Sequence, residues 1–358
     1  MAKKILVVDD SALMRRIVCD IINADERFQV IETACNGLEA VDLLSKNSYD
    51  AVVLDVNMPK LSGIGVLQEL LKRRISAKVI MNSSMTSEGA AVTIEALELG
   101  ALDFIQKPDN EILISTKENY RDNLLEILAT VTTLKIPKPV RMVMEREVSR
   151  PIKVSATKNI VTTNKVIAIA SSTGGPKALQ SVIPKLPKYI DAPILVVQHM
   201  PVGFTASLAD RLNELSEVSV KEAEQGDVLI PGHVYIARGG THMKVSYQGG
   251  KHIIVFGDEP TREGVKPCAN YMYESLRDSN FSQVVCVVMT GMGSDGAKGI
   301  ENLKSIKNVQ VIAQEKSTCV VYGMPRAIVD GGLADRVVAI DEIAQEITMN
   351  VGVKNNGC

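Results

Sequence analysis

Residues 165–183 read KVIAIASSTGGPKALQSVI. Val166–Ala170 is an apolar run without alternation, the pattern of a strand covered on both faces. Two serines, a threonine and two glycines interrupt it, and Pro176 then opens a segment of helical period reaching about Leu186. A strand that turns into a helix begins a βα unit, and parallel strands need such crossovers. The same pattern recurs downstream. Pro193–Gln198, Gln283–Met289 and Val309–Ala313 are near-continuous apolar runs, with helical segments around Thr205–Leu215 and Ala297–Ile306. Val234–Ile236, then Met243–Tyr247 and His252–Phe256 about Gln248-Gly249-Gly250-Lys251, predict an antiparallel hairpin at one edge. This half is an α/β domain with a mostly parallel sheet.

Upstream, short β-branched runs at Ile5–Val8, Val30–Thr33, Ala51–Leu54, Lys78–Met81 and Leu102–Ile105 alternate with amphipathic stretches such as Ala12–Asn23. A last helix from about Asn110 to Leu134 closes the unit. Five βα repeats predict a smaller, doubly wound domain with a five-stranded parallel sheet. Between the halves, residues 136–163 hold three prolines and six Lys or Arg against two Glu, without sustained period, and read as a basic linker. The expected layout is therefore a first domain at 1–134, a linker at 135–163 and a second domain at 164–351. The tail from Gly352 to Cys358 reads as polar and loose.

The chain has 358 residues, 46% hydrophobic and 23% charged, with a formal net charge of −2, so no global basic field points to nucleic acid. The six cysteines form no CxxC pair; Cys19, Cys35, Cys286 and Cys319 fall in apolar, periodic segments and read as small hydrophobes of a reducing compartment. The start MAKKILVVDDS breaks its apolar run with two aspartates, unlike a signal peptide, and no stretch approaches a membrane span. A cytoplasmic location without membrane insertion is expected.

In the first domain Asp9 and Asp10 end one strand, Asp55 ends another, Ser83 ends the next, and Lys107-Pro108 follows the last. Strand ends of a doubly wound sheet converge on one crevice. Crowded carboxylates there call for a hard divalent cation such as magnesium, and a nearby lysine completes a phosphoryl-transfer site. Asp55 is the candidate nucleophile, Ser83 a donor to phosphoryl oxygens, and Phe104 a ring placed to repack.

In the second domain the serine–glycine turn would lift a hydroxyl to the sheet's carboxyl edge, with helix-start amides facing a developing oxyanion. Either Ser171 or Ser172 fits. His199 follows one strand and Asp295 another, on the same edge, as a Ser-His-Asp relay requires. The other histidines, His233, His242 and His252, fall in or near the hairpin strands.

Residues 1–134, through LVVDDS, LDVNMPKLSG, NSS and ALDFIQKP, resemble the receiver domain of two-component response regulators. From about Asn164 to Ile347 the chain resembles the catalytic domain of the chemotaxis-specific protein-glutamate methylesterases, through AIASSTGGP, VVQHMPVGFTASLADRLN, VYIARGGTHM, VVMTGMGSDGAKG and VYGMPRAIVDGG. The resemblance implies that Asp55 accepts phosphate from a chemotaxis histidine kinase, with Asp10 and the Asn57 carbonyl holding magnesium and Asp9 nearby. It implies Ser172 as nucleophile, His199 as base and Asp295 as its partner, with Thr173 and Met292 flanking the site. Its substrates would be methyl-esterified glutamates of chemoreceptors, with glutamine deamidation as a second reaction and no cofactor for the esterase step. Two other classes compete. A DNA-binding output domain would need a helix-turn-helix and a basic face. A nucleotide switch would use the STGGP turn but lacks GxxxxGK[ST] and GxGxxG.

Overall fold

A computed structural model describes residues 1–84, 86–108, 115–134 and 164–354. The expected linker and the first residues of the helix expected from Asn110 lie outside them.

In the first unit the strands are β1 (Lys3–Val8), β2 (Phe28–Ala34), β3 (Ala51–Asp55), β4 (Val79–Ser83) and β5 (Asp103–Gln106). They alternate with α1 (Ala12–Asn23), α2 (Gly37–Lys46), α3 (Gly63–Arg73), α4 (Ser87–Glu98) and α5 (Ser115–Thr133). All strand pairs are parallel, in the order β2-β1-β3-β4-β5. Local chemistry sets the helix starts: Ser11, Asn36, Ser62 and Thr86 each accept a hydrogen bond from an amide in the first turn. The chain order reverses between β1 and β3, so Asp9, Asp10 and Asp55 fall at the switch point, where open α/β sheets bind ligands.

The second unit comprises β6 (Lys165–Ser171), α6 (Gly175–Val182), β7 (Ile194–Gln198), α7 (Phe204–Leu215), β8 (Ser219–Glu222), β9 (His233–Ile236), β10 (His242–Gln248), β11 (Lys251–Gly257), α8 (Ala269–Ser275), β12 (Gln283–Val288), α9 (Ala297–Lys304), β13 (Val309–Gln314), α10 (Met324–Asp330), β14 (Arg336–Val338) and α11 (Ile343–Val351). Seven strands pair in the order β14-β13-β12-β6-β7-β9-β8, every pair parallel. The expected hairpin is present, but β10 and β11 form a two-stranded antiparallel sheet of their own. Val234–Ile236, read with that hairpin, instead lies between β7 and β8 in the main sheet, where both faces are covered. The central strands β6, β7 and β12 are fully buried along their apolar runs, which explains the absence of alternation in sequence.

Of the tail expected to be loose, residues 355–358 lie outside the described residues, and the part before them is tied down. Val353 bridges antiparallel to Ile190, and the Lys354 amide donates to the Tyr189 carbonyl.

The two units are packed together. One cluster of buried apolar side chains runs from the receiver-like sheet through Phe104 and Phe204 into the larger unit. Helix α4 packs against α7 and touches α6.

Candidate active site and receiver crevice

The switch point of the larger sheet lies between β6 and β12, because later strands are added on opposite sides of β6. Ser172 follows β6, His199 follows β7, and the turn Gly291–Gly296 follows β12. The close fit of two of these turns explains a glycine: a side chain at Gly291 would strike the Ser172 Cβ at 2.8 Å and the Met324 sulfur at 2.4 Å. Gly174 has a φ of 75°, and a Cβ there would meet Val320 at 2.6 Å, so the turn after Ser172 is closed to larger residues on both counts.

Sequence reasoning left two serines, and the structure places them differently. Ser171 is fully buried as the last residue of β6, and its hydroxyl donates to Gln198 Oε1 at 2.7 Å. Ser172 is partly exposed and lines a cavity of about 500 Å³ together with Thr173, His199 and Met292. The Ser172 amide donates to the Thr290 carbonyl, and its carbonyl accepts from the Gly175 amide and from Gln198 Nε2. Gln198 therefore immobilises both serines' surroundings, a part that periodicity could not reveal.

His199 Nε2 lies 2.8 Å from Asp295 Oδ2. The carboxylate is almost entirely buried, which opposes its charge, but hydrogen bonds from His199 foremost, then Cys268 and the Ala269 amide, hold it below the ordinary carboxylate range. An ionised carboxylate only accepts, so Nε2 carries the proton and Nδ1 is left as the basic nitrogen. Among the described residues no hydrogen bond joins Ser172 to His199; they share the cavity wall. The remaining histidines have other surroundings. His242 is buried against the Pro260 carbonyl, and His252 stacks on Phe281, burial pushing it down to about 4.

The cavity's other wall comes from the first unit: Asp103, Phe104, Lys107, Tyr120 and Asn123 face it. Asp103 Oδ2 accepts a 2.6 Å hydrogen bond from the Thr173 hydroxyl. Burial pushes Asp103 up to about 6, partly offset by that bond. The Thr130 hydroxyl meets the Met292 sulfur. Phe104 stacks on Phe204, and Glu98 accepts from Arg211 Nε at 2.7 Å and Gln180 Nε2 at 2.9 Å. Asp103, Glu98 and Arg211 did not emerge from the sequence, since nothing in one chain's pattern shows which polar residues meet across a domain contact.

In the crevice of the first unit, carboxylate oxygens of Asp9, Asp10 and Asp55 lie within 4.8 Å of one another. Lys107 Nζ sits 2.8 Å from both Asp9 and Asp55. Burial raises the Asp55 carboxyl above its ordinary range despite Lys107; the lysine, although half-buried, is held protonated by its two carboxylates. This hard-oxygen donor set fits magnesium. Asn57, two residues after Asp55 in the chain, is exposed. The Ser83 hydroxyl is buried and turned towards α4, contacting the Thr93 hydroxyl at 2.8 Å and the Gly89 carbonyl at 3.3 Å.

Residues 5–117 match the response regulator receiver domain and residues 167–347 the CheB methylesterase domain. The chain belongs to the CheB methylesterase family. Similar proteins include a protein-glutamate methylesterase/protein-glutamine glutaminase of Syntrophomonas wolfei, 43% identical, with 96% of this chain and 98% of the relative covered. One of the same description from Bacillus subtilis is 41% identical, with 96% and 97% covered. The crystal structure of the Thermotoga maritima CheB methylesterase catalytic domain, 42% identical, aligns over 53% of this chain and all of that one with a TM-score of 0.51. No described helix is long and apolar enough to cross a membrane.

Proposed function

We propose that this member of the CheB family hydrolyses glutamate γ-methyl esters on chemoreceptors with a Ser172-His199-Asp295 triad, and that phosphorylation of Asp55 by a chemotaxis histidine kinase relieves inhibition by the receiver. The observation that carries the proposal is the shared cavity. Ser172 and His199 line it at the switch point, His199 is held by a buried, ionised Asp295, and receiver residues form the opposite wall.

Ser172 Oγ attacks the ester carbonyl while His199 Nδ1 takes its proton. Asp295 keeps the imidazole in the tautomer with Nε2 protonated and stabilises the imidazolium. Methanol leaves with that proton, and water then cleaves the acyl-enzyme through the same base. Backbone amides beside Thr173 and Met292 are the candidate oxyanion donors. The resting separation of Ser172 and His199 is compatible with this, because catalytic hydrogen bonds tighten in the substrate complex. A glutamine side chain would pass through a similar tetrahedral state, so deamidation is the second activity.

In the crevice, Asp9, Asp10, Asp55 and the Asn57 carbonyl would hold magnesium, which when bound neutralises charge on a transferring phosphoryl group. Lys107 holds Asp55 and orients it. Phosphate on Asp55 would attract the Ser83 hydroxyl and Lys107, drawing on the α4–β5 face that carries Glu98, Asp103 and Phe104. A receptor helix cannot reach Ser172 while that face lies over it. The two domains at 1–134 and 164–351, joined by residues 135–163, thus become switch, enzyme and tether.

The test is Ser172→Ala in the full chain, assayed by methanol release from methyl-esterified receptor fragments. Loss of release with unchanged thermal unfolding is expected; full activity would end the serine-enzyme reading.

A further inference from the structure

The Asp295 carboxylate is saturated with donors. Oδ2 accepts from His199 Nε2 at 2.8 Å and from the Ala269 amide at 2.6 Å. Oδ1 accepts from the Asn270 amide at 2.9 Å and from Cys268 Sγ at 3.0 Å. Two of these donors are backbone groups fixed by α8. The only side-chain donor besides His199 among them is Cys268, which is fully buried. Cys268 stands directly before α8, yet its side chain makes no capping bond there; Asp295, arriving from the turn after β12, takes the first amides instead. The thiol is thus free to point at the carboxylate rather than at its own helix.

We propose that Cys268 is a positioning residue of the esterase, its S–H donating to Asp295 Oδ1 so that the carboxylate cannot rotate and Oδ2 stays on His199. A carboxylate held at each oxygen by one side-chain donor and one amide has one orientation; removing a donor leaves a buried acceptor position unfilled. The thiol suits this position because it remains protonated: burial first, then the neighbouring Asp295 charge, pushes it up to about 12. Full burial also sets it apart from a reactive cysteine, which needs exposure and an electropositive setting. The proposal rests on the triad reading given above.

The test compares Cys268→Ala and Cys268→Ser in the full chain. Methanol release gives kcat and KM, and proton NMR follows the ring N–H shared by His199 and Asp295. The alanine variant is expected to lose about tenfold in kcat with KM within about twofold, the size of one hydrogen bond to a charged group. Its ring N–H signal should shift. Serine, which restores a donor, is expected to recover most of the loss and return the signal. A purely packing role predicts the reverse order, since serine places a hydroxyl in the same apolar space. Serine as impaired as alanine, or both variants at parental kcat, would overturn the proposal. Should alanine not fold, Cys268→Val fills the space without a donor and replaces it. His199→Ala separates the two levels: if it keeps full activity the triad reading itself fails, whereas an inactive His199→Ala with unaffected Cys268 variants sinks only the role of the thiol.

Discussion

The Phe104 ring lies on the Phe204 ring, centroids 4.5 Å apart and planes at 28°, and both are buried. This stack joins the receiver's β5 to the start of α7, a few residues after His199. Under the proposed regulation it is the apolar part of the clamp over the active site.

Phe104→Ala should therefore raise the activity of the unphosphorylated chain. An aromatic pair is worth about 0.5–1.5 kcal/mol beyond its area, so a rise in basal methanol release of roughly twofold to twelvefold is expected. Stimulation by a phosphodonor should shrink in proportion. Unchanged basal activity would show that the stack does not hold the site closed.

The polar part of the same contact is the Glu98–Arg211 pair, which is half exposed and so of modest strength, about 1 kcal/mol or less. Arg211→Met should raise basal activity by roughly twofold to fivefold, the range that such an energy allows. Added salt should do the same in the parent and little in the variant, since screening acts on the pair. Exchanging the charges, Glu98→Arg with Arg211→Glu, should return basal activity towards the parental value, and failure to do so would argue against a direct pairing.

Asp103 makes the contact pH-dependent. Its carboxyl is raised from its ordinary value to about 6, so the packed state favours the protonated form. The sign follows: the contact is strongest below about pH 4, weakens as pH rises through about 6, and stays weaker above. The groups bonded to it, the Thr173 hydroxyl and the Phe104 amide, do not titrate in this range. Asp103→Asn retains an acceptor for the Thr173 hydroxyl without a charge, so its basal activity near neutral pH should fall below the parent's. The parental ratio to this variant should rise between pH 5 and 7. A constant ratio across that interval would contradict the assignment.

Much of the architecture was legible because parallel strands covered on both faces announce themselves as unbroken apolar runs. Val166–Ala170 and Gln283–Met289 were bounded to within a residue or so for that reason. Ser219–Glu222 and Arg336–Val338 escaped, being short edge strands with polar positions, and α8 escaped because its start depends on Asp295 rather than on a local cap. Val234–Ile236 was attached to the wrong sheet, since three residues carry no information about which partner they pair with. The choice between Ser171 and Ser172 needed resemblance in the sequence; the structure adds that Ser171 is buried on Gln198 whereas Ser172 is partly exposed. Cys268 sits beside Pro267, outside any periodic segment, and its partner is distant in the chain.

The most direct test of the central claim is methanol release from methyl-esterified receptor fragments by the full chain, with and without acetyl phosphate and magnesium, in the parent and in Asp55→Ala. The expected result is release that the phosphodonor increases in the parent and leaves unchanged in Asp55→Ala. Release indifferent to the donor in the parent would contradict the coupling of the receiver to the esterase, and no release from folded protein under any condition would contradict the enzyme itself.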